Sequence, residues 1–402
     1  MPRRILHALT GAALAAAPAA SDYLFASGSP PGALVDGAFV PLPALPGVAG
    51  ALTPRQTETL ARGLLGRDAR LLADLRIRGS CDAAYAHPAG VRFRANAYRA
   101  GDSLGLVLRR LPDAPPPLAS LGLPPVFTRM ATLAEGLVLV VGATGSGKST
   151  TLSALATAIL ADRPVHVVTL EDPVESLFPP GRGVVSQREL GTDFPSFADG
   201  IRAALRQAPH VILVGEARDR ETVDAALGAA ETGHLVLATL HTADCAGAVE
   251  RLLAFFGPSE ERLARQRLAG SLRFVAAQRL LPRVGGGRAV SVEVLAATLR
   301  TRERILAGKD GSEGFSDILE QGEPYGMVTF DASTAALFAA GTITEETAIS
   351  RASDRAALAR ALDTVKAGRG QPVSSITGLT LDLPPPEEDG PGAAGPARGG
   401  RP

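Results

Sequence analysis

The sequence predicts an α/β protein in two parts: a compact α+β domain over residues 1–112, and a second domain with a mainly parallel sheet from residue 136. Three observations predict it. Short apolar runs at 137–141, 165–170, 211–214 and 235–240 alternate with helical patterns, as strands covered on both faces do. The first run leads directly into Gly142-Ala-Thr-Gly-Ser-Gly-Lys-Ser149 and then a helical pattern, the strand–loop–helix context of a phosphate loop. Upstream, residues 91–98 alternate strictly. Val91, Phe93, Ala95 and Ala97 share one face; Arg92, Arg94, Asn96 and Tyr98 share the other.

In chain order, residues 5–20 read as a helix. Their basic start, apolar middle and small residues resemble a secretory signal. His7 and Thr10 interrupt a weakly hydrophobic run, however, and a phosphate loop needs cytoplasmic ATP, so the expectation is a first helix of a cytosolic fold. A strand begins at Ser21-Asp22, and residues 33–40 read as a hairpin with Asp36-Gly37 at its tip. Residues 53–72 read as one helix, with Thr53 as cap and Pro54 in the first turn. Residues 113–135 form a Pro-rich connector and a helical lead-in, and 136–282 the nucleotide-binding core. Residues 260–282, 299–307, 331–340 and 344–363 read as helical, giving a helical C-terminal part over 283–366. Residues 367–402, rich in Pro, Gly and acids, read as a disordered tail.

Composition narrows the chemistry. Forty-one basic and 41 acidic side chains cancel, which removes the charge footprint of a dedicated nucleic-acid binder. Cys81 and Cys245 are too far apart in sequence for a C-x-x-C pair, so neither a zinc site nor a disulfide framework is indicated. No run approaches the ~18 apolar residues of a membrane-spanning helix.

The phosphate loop assigns Gly142, Thr144, Gly145, Ser146, Gly147, Lys148, Ser149 and Thr150 to ATP. Backbone N–H groups cradle phosphate oxygens, Lys148 supplies a point charge, and Ser149 offers a hydroxyl to Mg²⁺. Further segments sit at strand C-terminal ends, where ligands bind in such folds. Thr169-Leu-Glu-Asp-Pro-Val-Glu175 brings three carboxylates, Glu171, Asp172 and Glu175, for orienting water and holding Mg²⁺, unless they form a solvated acidic loop. His210-Val-Ile-Leu-Val-Gly-Glu216 is an apolar strand ending in an acid, a Walker B arrangement. His234 and His241 flank one buried strand; contact with the γ-phosphate or the acids is weighed against a structural role. Arg92, Arg94 and Arg99 either form an exposed basic face or reach ATP from the first domain, as phosphoryl transfer often requires.

Together these motifs, with Val185-Ser-Gln-Arg-Glu-Leu190 and Val91-Arg-Phe-Arg-Ala-Asn-Ala97, resemble the secretion ATPase superfamily, in particular its pilus-retraction (PilT) and DotB/TraJ branches. The resemblance runs from about residue 5 to 350. It implies a hexameric ring whose subunits carry a PAS-like N-terminal domain and a RecA-like P-loop NTPase domain, with ATP between them. It makes Glu171 and Glu216 the catalytic acids, places Glu171, Asp172 and Glu175 in the Asp box, Glu216 in Walker B and His234 and His241 in the His box, and turns Arg92, Arg94 and Arg99 into candidate arginine fingers or sensors. Lys148, His234 and His241 complete the expected catalytic set, and Asp172 with Ser149 is the expected Mg²⁺ site. It also implies a cytoplasmic location at the inner membrane, through a platform protein of a pilus or secretion system, with no direct nucleic-acid partner.

The chain departs from the family in places. The tetracysteine motif of pilus-assembly and type II secretion ATPases is absent. The Ala-Ile-Arg-Asn-Leu-Ile motif of retraction ATPases is Arg300-Thr-Arg-Glu-Arg-Ile305, and the usual Asp-Pro-Asp before Walker B is Ala208-Pro209-His210. Phe197-Ala-Asp-Gly-Ile-Arg202 is closer to DotB/TraJ, whereas Glu171-Asp-Pro173 is closer to the retraction branch. Expected is an ATP-driven pilus motor. The alternatives are a DotB/TraJ-like ATPase of secretion or conjugation, a RecA-like nucleic-acid motor, and a nucleotide-dependent structural ring with little turnover.

Overall fold

The computed structural model describes residues 1–35, 37–308 and 314–371. The first part runs α1 (Pro2–Ala16), β1 (Asp22–Phe25), β2 (Gly32–Val35), β3 (Ala38–Pro41), α2 (Pro54–Leu65), α3 (Ala69–Arg78), β4 (Ser80–Ala86), β5 (Arg92–Ala100) and β6 (Ser103–Arg110). Its six strands form an antiparallel sheet in the order β3-β2-β1-β6-β5-β4. One face of β5 buries Phe93, Ala95 and Ala97, as the alternation predicts.

The first helix belongs to this fold. Leu6, Leu9, Thr10 and Ala13 are buried, and the apolar ones join the same core as Leu60, Phe93 and Leu106. Gly63 of α2 lets the two helices touch: a Cβ there would lie 2.8 Å from the Pro2 carbonyl oxygen. The single helix expected at 53–72 is two. Thr53 and Gln56 form a capping box at the start of α2. Gly66, at φ 57°, ends it, and the Asp68 carboxylate accepts from the N–H groups of Arg70 and Leu71 to start α3. Strand β4 gives a weak sequence signal: buried Cys81, Ala83 and Tyr85 alternate with Ser80, Asp82, Ala84 and Ala86, and three alanines in seven residues leave little contrast between the faces. Of the expected hairpin tip, Asp36 lies outside the described residues; Val35 pairs with Ala38 beside it.

The second part runs α4 (Val126–Ala131), β7 (Gly136–Val141), α5 (Lys148–Asp162), β8 (His166–Glu171), β9 (Val184–Glu189), α6 (Phe197–Ala204), β10 (Val211–Val214), α7 (Arg220–Glu231), β11 (Leu235–Leu240), α8 (Cys245–Leu253), α9 (Glu261–Ser271), β12 (Leu272–Pro282), β13 (Arg288–Ala296), α10 (Leu299–Ala307), α11 (Phe315–Glu320), α12 (Phe330–Ala339), α13 (Glu345–Ser350) and α14 (Arg355–Gly368). The seven strands order as β13-β12-β7-β11-β10-β8-β9, all parallel except the edge strand β13. Strands β7, β10 and β11 are buried along their whole length. Each fully buried Val or Leu contributes ~1.5–3 kcal/mol, so this sheet is the rigid part of the domain.

Two expectations are corrected here. Residues 260–282 are not one helix: the helix ends at Ser271 and Leu272–Pro282 is a strand beside β7. A short, fully buried apolar run has no periodicity that separates strand from helix. The C-terminal part is accordingly not all helical, since β13 closes the sheet, and 344–363 is two helices split where Asp354 caps α14. Of the segment read as a disordered tail, residues 372–402 lie outside the described residues; its first residues finish α14.

Leu6→Ala tests whether α1 is part of the folded domain. It is expected to lower unfolding stability by about 2–5 kcal/mol, whereas Ile5→Ala on the exposed side stays within about 0.5 kcal/mol. Equal, small effects in denaturant titration would show that the helix is not docked.

Candidate active site

Register decides what meets at the site. In the parallel ladder Leu240 pairs with Val141, Ala238 with Val214, and Val214 with Leu170. The C-terminal ends of β7, β11, β10 and β8 therefore share one edge. There the loops after them enclose a cavity of about 860 Å³.

The phosphate loop forms one wall. Gly142, at φ 147°, brings the backbone against β12: a Cβ there would lie 2.5 Å from both the Gln278 carbonyl oxygen and Ser146 Oγ. Gly147 caps α5 in a left-handed conformation, so the helix N-terminus opens onto the cavity. Lys148 is only 8% exposed and folds back, its Nζ donating to the carbonyls of Gly142 at 2.9 Å and Ala143 at 3.0 Å. Burial pushes its ammonium below the ordinary lysine value, while the Glu216 carboxylate pulls the other way. Thr144, Gly145, Ser146, Ser149 and Thr150 also line the cavity.

The two expected acids occupy different environments. Glu171, the last residue of β8, is 8% exposed and accepts from Thr169 Oγ1 at 2.6 Å and Gln187 Nε2 at 3.1 Å. Burial still raises its carboxyl above the usual range. For Glu216 burial also pushes upward, but the Arg218 hydrogen bond and charge, together with His241, outweigh it and hold the carboxyl below that range. Arg218 Nη2 lies 2.6 Å from Glu216 Oε2 and His241 Nε2 lies 3.1 Å from Oε1. His241 Nδ1 is 3.5 Å from Lys148 Nζ. These partners assign the imidazole: Nδ1 accepts from the ammonium and Nε2–H donates to the carboxylate. Two acids held apart in ionisation are arranged for different tasks. Asp172 and Glu175 complete the acidic wall.

The first domain and connector also contribute: Arg94, Ser120, Leu121 and Leu123 line the cavity, as do Leu280, Arg288 and Val290 of β12 and β13. Arg92 does not line the cavity. Its Nη2 donates to the Val174 carbonyl at 2.8 Å, which ties β5 to the loop after β8. Arg99 is exposed near the other end of the strand, roughly 17 Å along from Arg94 at 3.3–3.4 Å per residue.

His234 is a correction. It precedes the N-terminal end of β11, whereas His241 follows the C-terminal end, so the sheet separates them by roughly 20 Å. His234 Nδ1 contacts the Ala229 carbonyl at 3.1 Å and Thr232 Oγ1 at 3.2 Å, a role at the end of α7. Two ends of one strand do not share an edge. Residues the sequence reading did not assign include Arg218, Thr169, Gln187 and Gln278, whose Nε2 donates to Thr151 Oγ1 at 3.0 Å. Arg218, two residues beyond the Walker B acid, offered a signal; Gln187 and Gln278 lie on strands that were unread or read as helix.

Glu171 yields a prediction of sign. A carboxyl whose folded pKa is raised contributes stability below the unfolded pKa and loses it as pH rises through the folded one. Glu171→Gln, which keeps an acceptor for Thr169, is expected to melt about 1–3 °C above wild type at pH 8, with the gap closing near pH 4. A wild-type chain as stable as the variant at pH 8 would contradict this.

The site has relatives. The profile of the type II/IV secretion system protein family matches residues 106–319. The type IV pilus retraction ATPase PilT of Pseudomonas aeruginosa is 36% identical over 340 residues, covering 85% of this chain and 96% of that protein. The crystal structure of the pilus retraction motor PilT with bound ADP superposes with a TM-score of 0.76 at 36% identity, covering 86% of this chain and 97% of that one. The structure of the Legionella pneumophila ATPase DotB gives 0.73 at 30% identity, covering 86% and 93%. A profile spanning over half the residues, and a relative matched over nearly its whole length, agree: the chain belongs to the type II/IV secretion system protein family.

Proposed function

We propose that this chain is an ATP-hydrolysing motor of a type IV pilus or a related secretion machine. One observation carries the reading: the phosphate-loop lysine, His241 and Glu216 form a continuous contact chain inside a single cavity. That is the constellation phosphoryl transfer to water requires, a cation at the phosphates and an ionised acid where water attacks. The similarity to PilT with bound ADP supports nucleotide in this cavity.

In this reading Lys148 leaves the Gly142 and Ala143 carbonyls for the incoming phosphates. The loop N–H groups and the α5 N-terminus hold the anionic oxygens. Glu216 orients the water. Glu171, buried and inclined to keep a proton, steadies the second side of the acid wall through Thr169 and Gln187. Ser149 Oγ and the Asp172 carboxylate reach the same cavity and are hard oxygen donors, which suits them to hold Mg²⁺. When bound, Mg²⁺ neutralises phosphate charge. Arg94 is the arginine of the first domain best situated to meet nucleotide, while Arg92 braces the loop behind it.

We further read the working form as a homo-hexameric ring, with a PAS-like first domain over 1–112, a RecA-like core over 136–282 and a C-terminal part over 283–366. It would act on the cytoplasmic side of the inner membrane through a platform protein. Among the described residues no helix is long and apolar enough to cross a membrane. A second reading, a motor of type IVB secretion or conjugation, is supported by Phe197-Ala-Asp-Gly-Ile-Arg202 and by the DotB likeness.

Phosphate release by the full chain tests the proposal. Lys148→Ala and Glu216→Gln are each expected to lower turnover at least about a hundredfold. His241→Ala should lower it about tenfold or more, and His234→Ala by less than about twofold. Turnover that survives both Lys148→Ala and Glu216→Gln would remove the assignment.

A further inference from the structure

The cation nearest the Walker B acid is not the phosphate-loop lysine. Arg218 Nη2 stands 2.6 Å from Glu216 Oε2, while His241 takes the other oxygen. Each oxygen of the carboxylate thus already has one side-chain partner, and a water oriented by Glu216 must share it with them. Arg218 itself is 66% exposed, lines the same cavity, and feels the negative charge of Asp172 as well as Glu216. Among the described residues the guanidinium's only ion pair is with Glu216, while the backbone that carries it is fixed on both sides: Ala217 is buried in the core and Asp219 caps α7. A long exposed arginine beside phosphate sites has a competing partner as soon as phosphate oxygens arrive, because guanidinium pairs with phosphate in the same forked geometry.

We infer that Arg218 is a positioning residue that latches Glu216 in the resting state. The latch still holds when nucleotide has bound and opens as the guanidinium shifts from the carboxylate to the phosphate oxygens, a step that precedes hydrolysis in every turnover and so restrains kcat. This inference rests on the ATPase reading above. The latch is a partly exposed ion pair, so its effect is modest and weakens with salt.

The test is phosphate release by the full chain at saturating Mg-ATP, with ADP affinity and melting temperature as checks on folding. Arg218→Gln is expected to raise kcat about three- to tenfold with KM changed less than about twofold. Arg218→Lys, which keeps the charge, should restore most of the restraint. Wild-type kcat should also rise with added KCl, and that of Arg218→Gln should not. A purely structural arginine would show neither the acceleration nor the loss of salt response. A kcat that is unchanged or lower in a folded Arg218→Gln overturns the latch. Should that variant not fold, Arg218→Met and the wild-type salt response decide, and a wild type indifferent to KCl overturns it. A wild-type chain that releases no phosphate removes the ATPase reading along with the latch, whereas wild-type turnover without acceleration removes the latch alone.

Discussion

Val141, Leu240, Val214 and Leu170 stand at the ends of four parallel strands whose ladder holds them in step. This register is the constraint on which the site depends. A parallel ladder cannot slip by one residue without turning every buried side chain to the other face. Here both faces are covered and every position of β7, β10 and β11 is buried, so slippage would move side chains fitted to one close-packed layer into the other. The sheet thereby fixes, without any ligand, the starting points of the phosphate loop, the acidic loop, the Walker B acid and the His241 loop. What remains to local chemistry is only the last few residues of each.

Those few residues solve a charge problem. Four acids and a lysine are drawn towards one cavity, and where they are buried an unpaired charge is expensive. Lys148 finds two carbonyls, Glu216 finds Arg218 and His241, and Glu171 finds Thr169 and Gln187. The partners differ in kind, and the difference separates the acids. Cationic and imidazole partners keep Glu216 ionised. Neutral donors do not offset the burial of Glu171, which stays nearer its protonated form. The site is held ready by contacts that nucleotide must replace rather than by contacts it adds to an empty frame.

How much of this was readable from the chain follows from the range of each interaction. The phosphate loop, Glu171 and Glu216 were legible because a strand end and a short motif specify them locally. Strand β12 was not, since Leu272, Val275, Ala276 and Ala277 are buried on all sides and carry no period. The loss had a consequence: Gln278, which braces α5 through Thr151, sits on that unread strand. The misplacement of His234 has another origin. Nearness in sequence to His241 is not nearness in space, because a six-residue strand carries its two ends to opposite edges of the sheet. The capping of α3 by Asp68 shows the reverse, a local signal present in Gly66-Arg67-Asp68 and overridden by the run of leucines around it.

The neutral charge of the whole chain conceals a division that bears on how the two parts meet. Residues 1–112 hold thirteen arginines against seven carboxylates, a net of +6, so the rest of the chain carries −6. The two meet in one cavity, which Arg94 of the first part lines together with Glu171, Asp172, Glu175 and Glu216 of the second. Arg94 is held only loosely, its Nε 3.8 Å from Asp82 with both side chains about half exposed, a pairing worth little in water. Arg92 is held firmly by the Val174 carbonyl and so couples β5 to the acidic loop. One arginine anchors the domains and the other is free to change partner. On the reading of this cavity as the nucleotide site, a bound triphosphate would compete with Asp82 for Arg94, and release of the products would return the arginine to that weak pair.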